Sequence, residues 1–183
     1  MLVLASTSPR RQQILRDAGV AFVVRAPNVP EERRNGESPL EYVRRLAHEK
    51  ACAVPRAPGE VVLAADTVVV LDEHVLEKPL DAPDARRMLA LLSGRVHEVI
   101  TGICLRSNTR IIVDVEVTRV HFVELAEEEM AAYVASGEPM DKAGAYAIQG
   151  LASKFIDRVE GCYFNVVGLP VALVYRRLKE LEQ

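Results

Sequence analysis

Cysteine is scarce in this sequence: Cys52, Cys104 and Cys162 are odd in number, widely separated and without CxxC spacing. That pattern argues against a disulfide framework or a structural zinc site and reads as reduced thiols in a cytosolic protein. Excess charge of one sign is missing too, since 23 basic and 26 acidic residues leave a net charge of -3. A chain so balanced has no positive field for a polyanionic duplex, so nucleic acid is not an expected partner. No apolar run approaches the roughly 20 residues needed to cross a bilayer. The start, Met1 to Ala5, turns polar at Ser6 without a basic leader, which predicts no signal peptide, no membrane partner and a cytoplasmic location. His48, His74, His97 and His121 show no metal-ligand spacing. No Ser-His-Asp arrangement or GxSxG can be read, which argues against a covalent serine hydrolase. Repeats, low-complexity tracts and linkers are also missing.

What is present suits one globular domain spanning residues 1–183, with 49% apolar residues to fill its core. Leu2 to Ala5 reads as a buried strand. Ser8-Pro9 then supplies an N-cap and a first-turn proline for a helix that stops near Gly19. Ser38-Pro39-Leu40-Glu41 is a capping box that opens a second helix, with Tyr42, Val43, Leu46 and Ala47 in helical period, to about Val54. Val61 to Leu71 is a β-branched run, read as a buried strand or strand pair. A third helix covers Ala82 to Leu92 and closes at Ser93-Gly94, and a fourth covers Glu127 to Ala135. Between them, residues 96–106 and 110–124 read as two long antiparallel strands joined around Ser107-Asn108-Thr109. Residues 137–168 are glycine-rich and only partly regular, and Pro170 to Leu181 is a closing helix. This order predicts an α/β fold on one long, bent mixed sheet flanked by helices.

Five groups of residues carry chemical interest, each weighed against a plainer reading. Ser6 to Arg11 places hydroxyls, free backbone N–H groups and two guanidinium forks at a helix start, where the macrodipole favours an anion such as phosphate. An ordinary capped helix with solvated arginines explains the same residues equally well. Asp66 interrupts an apolar strand and is followed by Thr67, a costly placement for an acid unless a metal or a proton transfer needs it. Its plainer reading is a turn cap at a strand end. Lys50, Lys78 and Lys142 offer compact ammonium charges suited to phosphate oxygens, but each alone reads as a surface lysine. Glu31, in an expected loop, is a hard oxygen donor of the kind that binds magnesium or manganese beside phosphates, a weak signal taken alone. The stretch from Asp141 to Gly150 is rich in small residues and lets Gln149 approach a planar ligand, or forms a tight structural turn.

Together these segments resemble the Maf family. The resemblance is carried by Leu4 to Arg11, Leu46-Ala47 with Lys50-Ala51, Ala65-Asp66-Thr67, Glu77-Lys78-Pro79, Ser93 to His97, Thr101-Gly102 and Asn165 to Pro170, in order along nearly the whole chain. It implies a cytoplasmic homodimer that hydrolyses nucleoside triphosphates between the α and β phosphates with Mg²⁺ or Mn²⁺, on a fold similar to the inosine triphosphate pyrophosphatases. By the same resemblance Asp66 is the proton acceptor, and Arg10, Thr67 and Gln149 discriminate the substrate. Ser6, Arg11, Lys50 and Lys78 are further substrate contacts, and Glu31 is a metal ligand alongside Asp66. Ser136-Gly137-Glu138-Pro139, Asp141 to Gly144 and Ile148-Gln149-Gly150 resemble the dTTP/UTP branch, whereas a sister branch prefers 7-methyl-GTP. Pro30 stands where many relatives carry an acid. Nucleotide-dependent regulation of septum formation is the alternative role that the resemblance suggests.

Overall fold

The computed structural model describes residues 1–181. A seven-stranded sheet has the order β2-β1-β3-β5-β6-β7, with β4 pairing on β3. Its strands are β1 (Leu2–Leu4), β2 (Phe22–Val24), β3 (Val61–Leu71), β4 (His74–Leu76), β5 (Val96–Arg106), β6 (Ile111–Phe122) and β7 (Ile156–Glu160). Pairing is mixed, as expected: β1 runs parallel to β2 and β3, while β3–β4 and β6–β7 are antiparallel. Six helices accompany the sheet among the described residues: α1 (Pro9–Asp17), α2 (Pro39–Ala53), α3 (Ala82–Leu92), α4 (Glu127–Ala135), α5 (Tyr163–Val167) and α6 (Val171–Leu181). None is long and apolar enough to cross a membrane.

Helices α1, α2 and α3 begin where local chemistry dictates. Each has proline in its first turn and a side-chain cap, from Ser8, Ser38 and Asp81 respectively. At Ser38 the predicted box is complete, because the Ser38 hydroxyl accepts from the Glu41 N–H and the Glu41 carboxylate accepts from the Ser38 N–H. The run from Val61 to Leu71 is a single strand, and all of it except Val61 and Thr67 is buried, so its apolar content continues on both faces.

The chain divides into two compact units. The first comprises Met1–Thr67, Thr101–Glu116 and the chain from Gly168 onward; the second comprises Val68–Ile100 and Val117–Val167. In the first unit α2 lies against small residues of the sheet, where Ala47, Ala51 and Val54 pack with Val3, Ala5, Val62, Ala64 and Cys104. That approach depends on Gly102 of β5, where a Cβ would fall 2.3 Å from the Val43 carbonyl oxygen. In the second unit the core gathers Val69, Met88, Leu89, Leu92, Val120, Phe122, Tyr133, Tyr146 and Phe155. Residues 137–168 are more regular than their glycine content suggests: they hold short 3₁₀ turns at Glu138–Asp141, Ala143–Ala145 and Leu151–Phe155, then β7 and α5.

Candidate active site

The first unit gathers most of the predicted site. Lys50 comes from the last turn of α2, on the face that Leu46 and Ala47 bury, and is itself only 6% exposed. Its Nζ lies 2.6 Å from Asp66 Oδ1 and 2.6 Å from Glu31 Oε1. Asp66 is 7% exposed in the middle of β3, so the plainer expectation of a strand-end turn cap does not describe it. A carboxylate in so apolar a strand needs a compensating cation, and Lys50 supplies one. Glu31 sits in an exposed loop that α2 holds from two points: the Tyr42 hydroxyl donates to the Glu31 carbonyl (3.1 Å) and Arg45 donates to the Glu32 carbonyl (3.0 Å).

Arg11 binds framework on every side. Its Nε donates to the Gly168 carbonyl (2.8 Å), and Nη1 donates to the Ala65 carbonyl (2.9 Å) and to Ser6 Oγ (3.4 Å). Its Nη2 donates to Thr67 Oγ1 (3.0 Å), which also shares a hydrogen bond with Thr101 Oγ1 (2.9 Å). The guanidinium therefore clamps the residues on either side of Asp66. Burial lowers the Arg11 pKa from its ordinary value, Asp66 and Glu31 oppose that shift, and Arg10 adds to it. Arginine stays cationic throughout the physiological range even so. Ser6 also accepts from the Ser8 N–H (3.2 Å), which shapes the turn into α1. Arg10 is half-buried at the start of α1.

Lys78 and Gln149 belong to the second unit, both exposed, Lys78 just after β4 and Gln149 in the turn 148–150. The Gly144 N–H donates to the Glu77 carbonyl (3.1 Å), so the segment bearing Lys78 and the loop leading to Gln149 are joined. Gly144 permits this closeness, since a Cβ there would meet Val69 Cγ2 at 2.8 Å. Lys142 turns inward, donating to the Glu138 carbonyl (2.7 Å) and to Asp141 Oδ1 (2.6 Å). His97 of β5 is a core residue whose Nε2 pairs with the Tyr146 hydroxyl at 2.8 Å.

Thr101 and Gly168 are working parts of the first unit that residue chemistry alone did not single out, although both lie in quoted motifs. A hydroxyl in the buried run of β5 was the available signal for Thr101. No group of three or more His, Cys, Asp or Glu side chains suited to a metal is found among the described residues. Glu31 and Asp66 nevertheless converge on one cationic centre, the Lys50 ammonium. Two hard carboxylates fit Mg²⁺ or Mn²⁺ when phosphate oxygens and water complete the coordination, so the donor set suits a cation that arrives with a phosphorylated substrate.

A family model described as Maf-like protein matches residues 1–181. A dTTP/UTP pyrophosphatase from Koribacter versatilis (strain Ellin345) is 53% identical over 179 residues, covering 97% of this chain and 93% of that protein. A dTTP/UTP pyrophosphatase from Anaeromyxobacter dehalogenans (strain 2CP-C) is 54% identical over 175 residues, covering 93% and 89%. Among solved structures, a HAM1 protein from Coxiella burnetii shares the fold at a TM-score of 0.53 with 17% identity, covering 98% of both chains.

Proposed function

We propose a nucleotide pyrophosphatase activity from one premise: this chain belongs to the Maf-like protein family. Its substrates are dTTP and UTP, hydrolysed to the monophosphate and pyrophosphate, an activity taken over from relatives about half identical along most of their length. The observation that carries the reading is Asp66, a carboxylate fixed inside a strand by Lys50 on one side and by the Arg11 clamp on its neighbours Ala65 and Thr67. A carboxylate held so firmly can orient a water molecule and accept its proton as the oxygen attacks the α phosphorus. The bond to the bridging oxygen then breaks and pyrophosphate departs.

In the first unit Arg10, Arg11 and Lys50 offset the triphosphate charge, Arg11 through space because its hydrogen bonds hold the framework, and Lys78 is a substrate-binding candidate of the second unit. Ser6 completes the phosphate-facing turn ahead of α1. Glu31 and Asp66 would hold Mg²⁺ or Mn²⁺, which when bound neutralises phosphate charge as it develops on the leaving group. Gln149 presents an amide oxygen to the N3–H of thymine or uracil and an amide N–H to a neighbouring carbonyl. The same reading takes the protein as a single-domain cytoplasmic homodimer with neither a nucleic-acid nor a membrane partner.

Pyrophosphate release from dTTP, UTP, CTP, 7-methyl-GTP and ITP, each with Mg²⁺ or Mn²⁺, tests this assignment. Preference for dTTP and UTP is the expected result. Preference for 7-methyl-GTP would move the chain to the sister branch and contradict the role given to Gln149.

A further inference from the structure

The turn that carries Gln149 is held at both of its flanks by one phenol–carboxylate pair. Tyr133 of α4 is 3% exposed and packs edge-on against Phe155, with ring centroids 5.5 Å apart. Its hydroxyl accepts from the Ala147 N–H (3.1 Å) and donates to Glu138 Oε1 (2.9 Å). The other carboxylate oxygen, Oε2, accepts from the Leu151 N–H (3.1 Å). Between those anchors the Gly150 N–H donates to the Ala147 carbonyl (3.0 Å), closing the turn. Gly150 leaves room for that carboxylate, because a Cβ there would lie 2.3 Å from each carboxylate oxygen of Glu138 and would displace it from its present place.

Glu138 is fixed in its turn. It follows Gly137, which adopts a left-handed φ of 76°, and its N–H donates to Ser136 Oγ (3.3 Å), whose hydroxyl donates to the Tyr133 carbonyl (2.6 Å). Lys142 holds the Glu138 carbonyl from the far side (2.7 Å). Ser136-Gly137-Glu138-Pro139 and Ile148-Gln149-Gly150, apart in sequence, are thus two halves of one device. An exposed side chain such as Gln149 discriminates between bases only if its backbone is pre-ordered, since each loose torsion would otherwise have to be frozen on binding.

We propose that Tyr133 and Glu138 are positioning residues for base selection, acting through the Gln149 turn without touching the substrate. The inference rests on the reading of Gln149 as the base contact. It assigns to α4 and the turn after it a part in specificity beyond their packing role.

The test uses the full chain with Tyr133→Phe, which keeps the ring and its packing, Glu138→Gln, Gln149→Ala, and the Tyr133→Phe/Gln149→Ala double variant. Two quantities are read: kcat and KM for dTTP and CTP, and amide hydrogen exchange at Ala147 and Leu151. Tyr133→Phe and Glu138→Gln are expected to speed exchange at both amides by about tenfold or more. The dTTP-over-CTP preference should drop about fivefold, through KM, while kcat on dTTP stays within about twofold. In the double variant Tyr133→Phe should remove no further preference, as expected of residues acting in one unit.

Unchanged exchange would overturn the tether. Faster exchange with undiminished preference, in a protein whose Gln149→Ala variant has lost that preference, would reduce the pair to a purely structural role. Preference surviving in Gln149→Ala would refute the base contact itself, and the positioning role with it.

Discussion

At position 50 helical periodicity asks for an apolar residue, and the chain supplies a lysine. Leu46, Ala47 and Ala51 on the same face are fully buried, and Lys50 joins them with its ammonium between Glu31 and Asp66. Removing one member of a buried pair leaves the other charge without compensation, which costs more than the pair itself contributes. Lys50→Met, which keeps the aliphatic stem, is therefore expected to destabilise the protein by about 3 kcal/mol in urea unfolding and to depress turnover as well. Wild-type stability in that variant would mean that Asp66 does not depend on Lys50. Taken alone Lys50 read as a surface lysine, and its burial corrects that reading; the available signal was its place three and four residues beyond Ala47 and Leu46. The role of Arg11 was not: nothing local says that its donors reach Ala65, Thr67 and Gly168, up to 157 positions away.

At the scale of elements, legibility follows how local the determining chemistry is. Helices α1, α2 and α3 could be placed because Ser8, Ser38 and Asp81 cap them and proline starts them. β2, β4 and β7 went unread because they have three, three and five residues, too few to show a period. Partners elsewhere in the chain define them, β1 for β2 and β6 for β7.

Gly102 belongs to this scale, because its missing side chain sets how closely α2, and hence Lys50, lies on β5. Gly102→Ala would force the Val43 carbonyl away from its present position, only 2.3 Å from the new Cβ. The expected outcome is a stability loss of about 1–3 kcal/mol from overpacking, with reduced turnover as Lys50 and Asp66 separate. Unfolding and activity measured on the same preparation check both halves; an alanine accepted without loss would show that α2 has slack.

At the scale of the whole molecule, stability should depend on pH through His97. This imidazole is 2% exposed, packs edge-on to Phe122 and Tyr146, and is pushed down to about 3 by burial, with a smaller push from His121. In the unfolded chain a histidine titrates near about 6.5. As pH falls from there toward 3 the unfolded chain takes up a proton that the folded chain refuses, so stability is fully present above about pH 6.5 and declines below it. The slope approaches about 1.4 kcal/mol per pH unit for this one group. Below about pH 4.5 further losses join, because hydrogen bonds from Arg45 and Arg25 hold Glu37 and Glu60 down to about 2. Urea unfolding of wild type and His97→Gln between pH 7 and 4.5 should give a shallower slope in the variant; equal slopes would contradict the assignment.

A mixed sheet flanked by helices followed from the order of apolar runs and capped helices, but three of its seven strands did not. Distribution of the candidate residues did not, since Lys78 and Gln149 fall in a unit assembled from two separate stretches of chain. Their connection through Glu77 and Gly144 is a tertiary fact.

In the proposed reaction everything turns on Asp66 taking a proton from the water that attacks the nucleotide. It is tested most directly by comparing wild type with Asp66→Asn for pyrophosphate release from dTTP and, in parallel, for binding of a dTTP analogue that resists cleavage between its α and β phosphates. The expected outcome is a fall in kcat of about 100-fold or more with the dissociation constant within about threefold. Turnover at the wild-type rate in Asp66→Asn would contradict it.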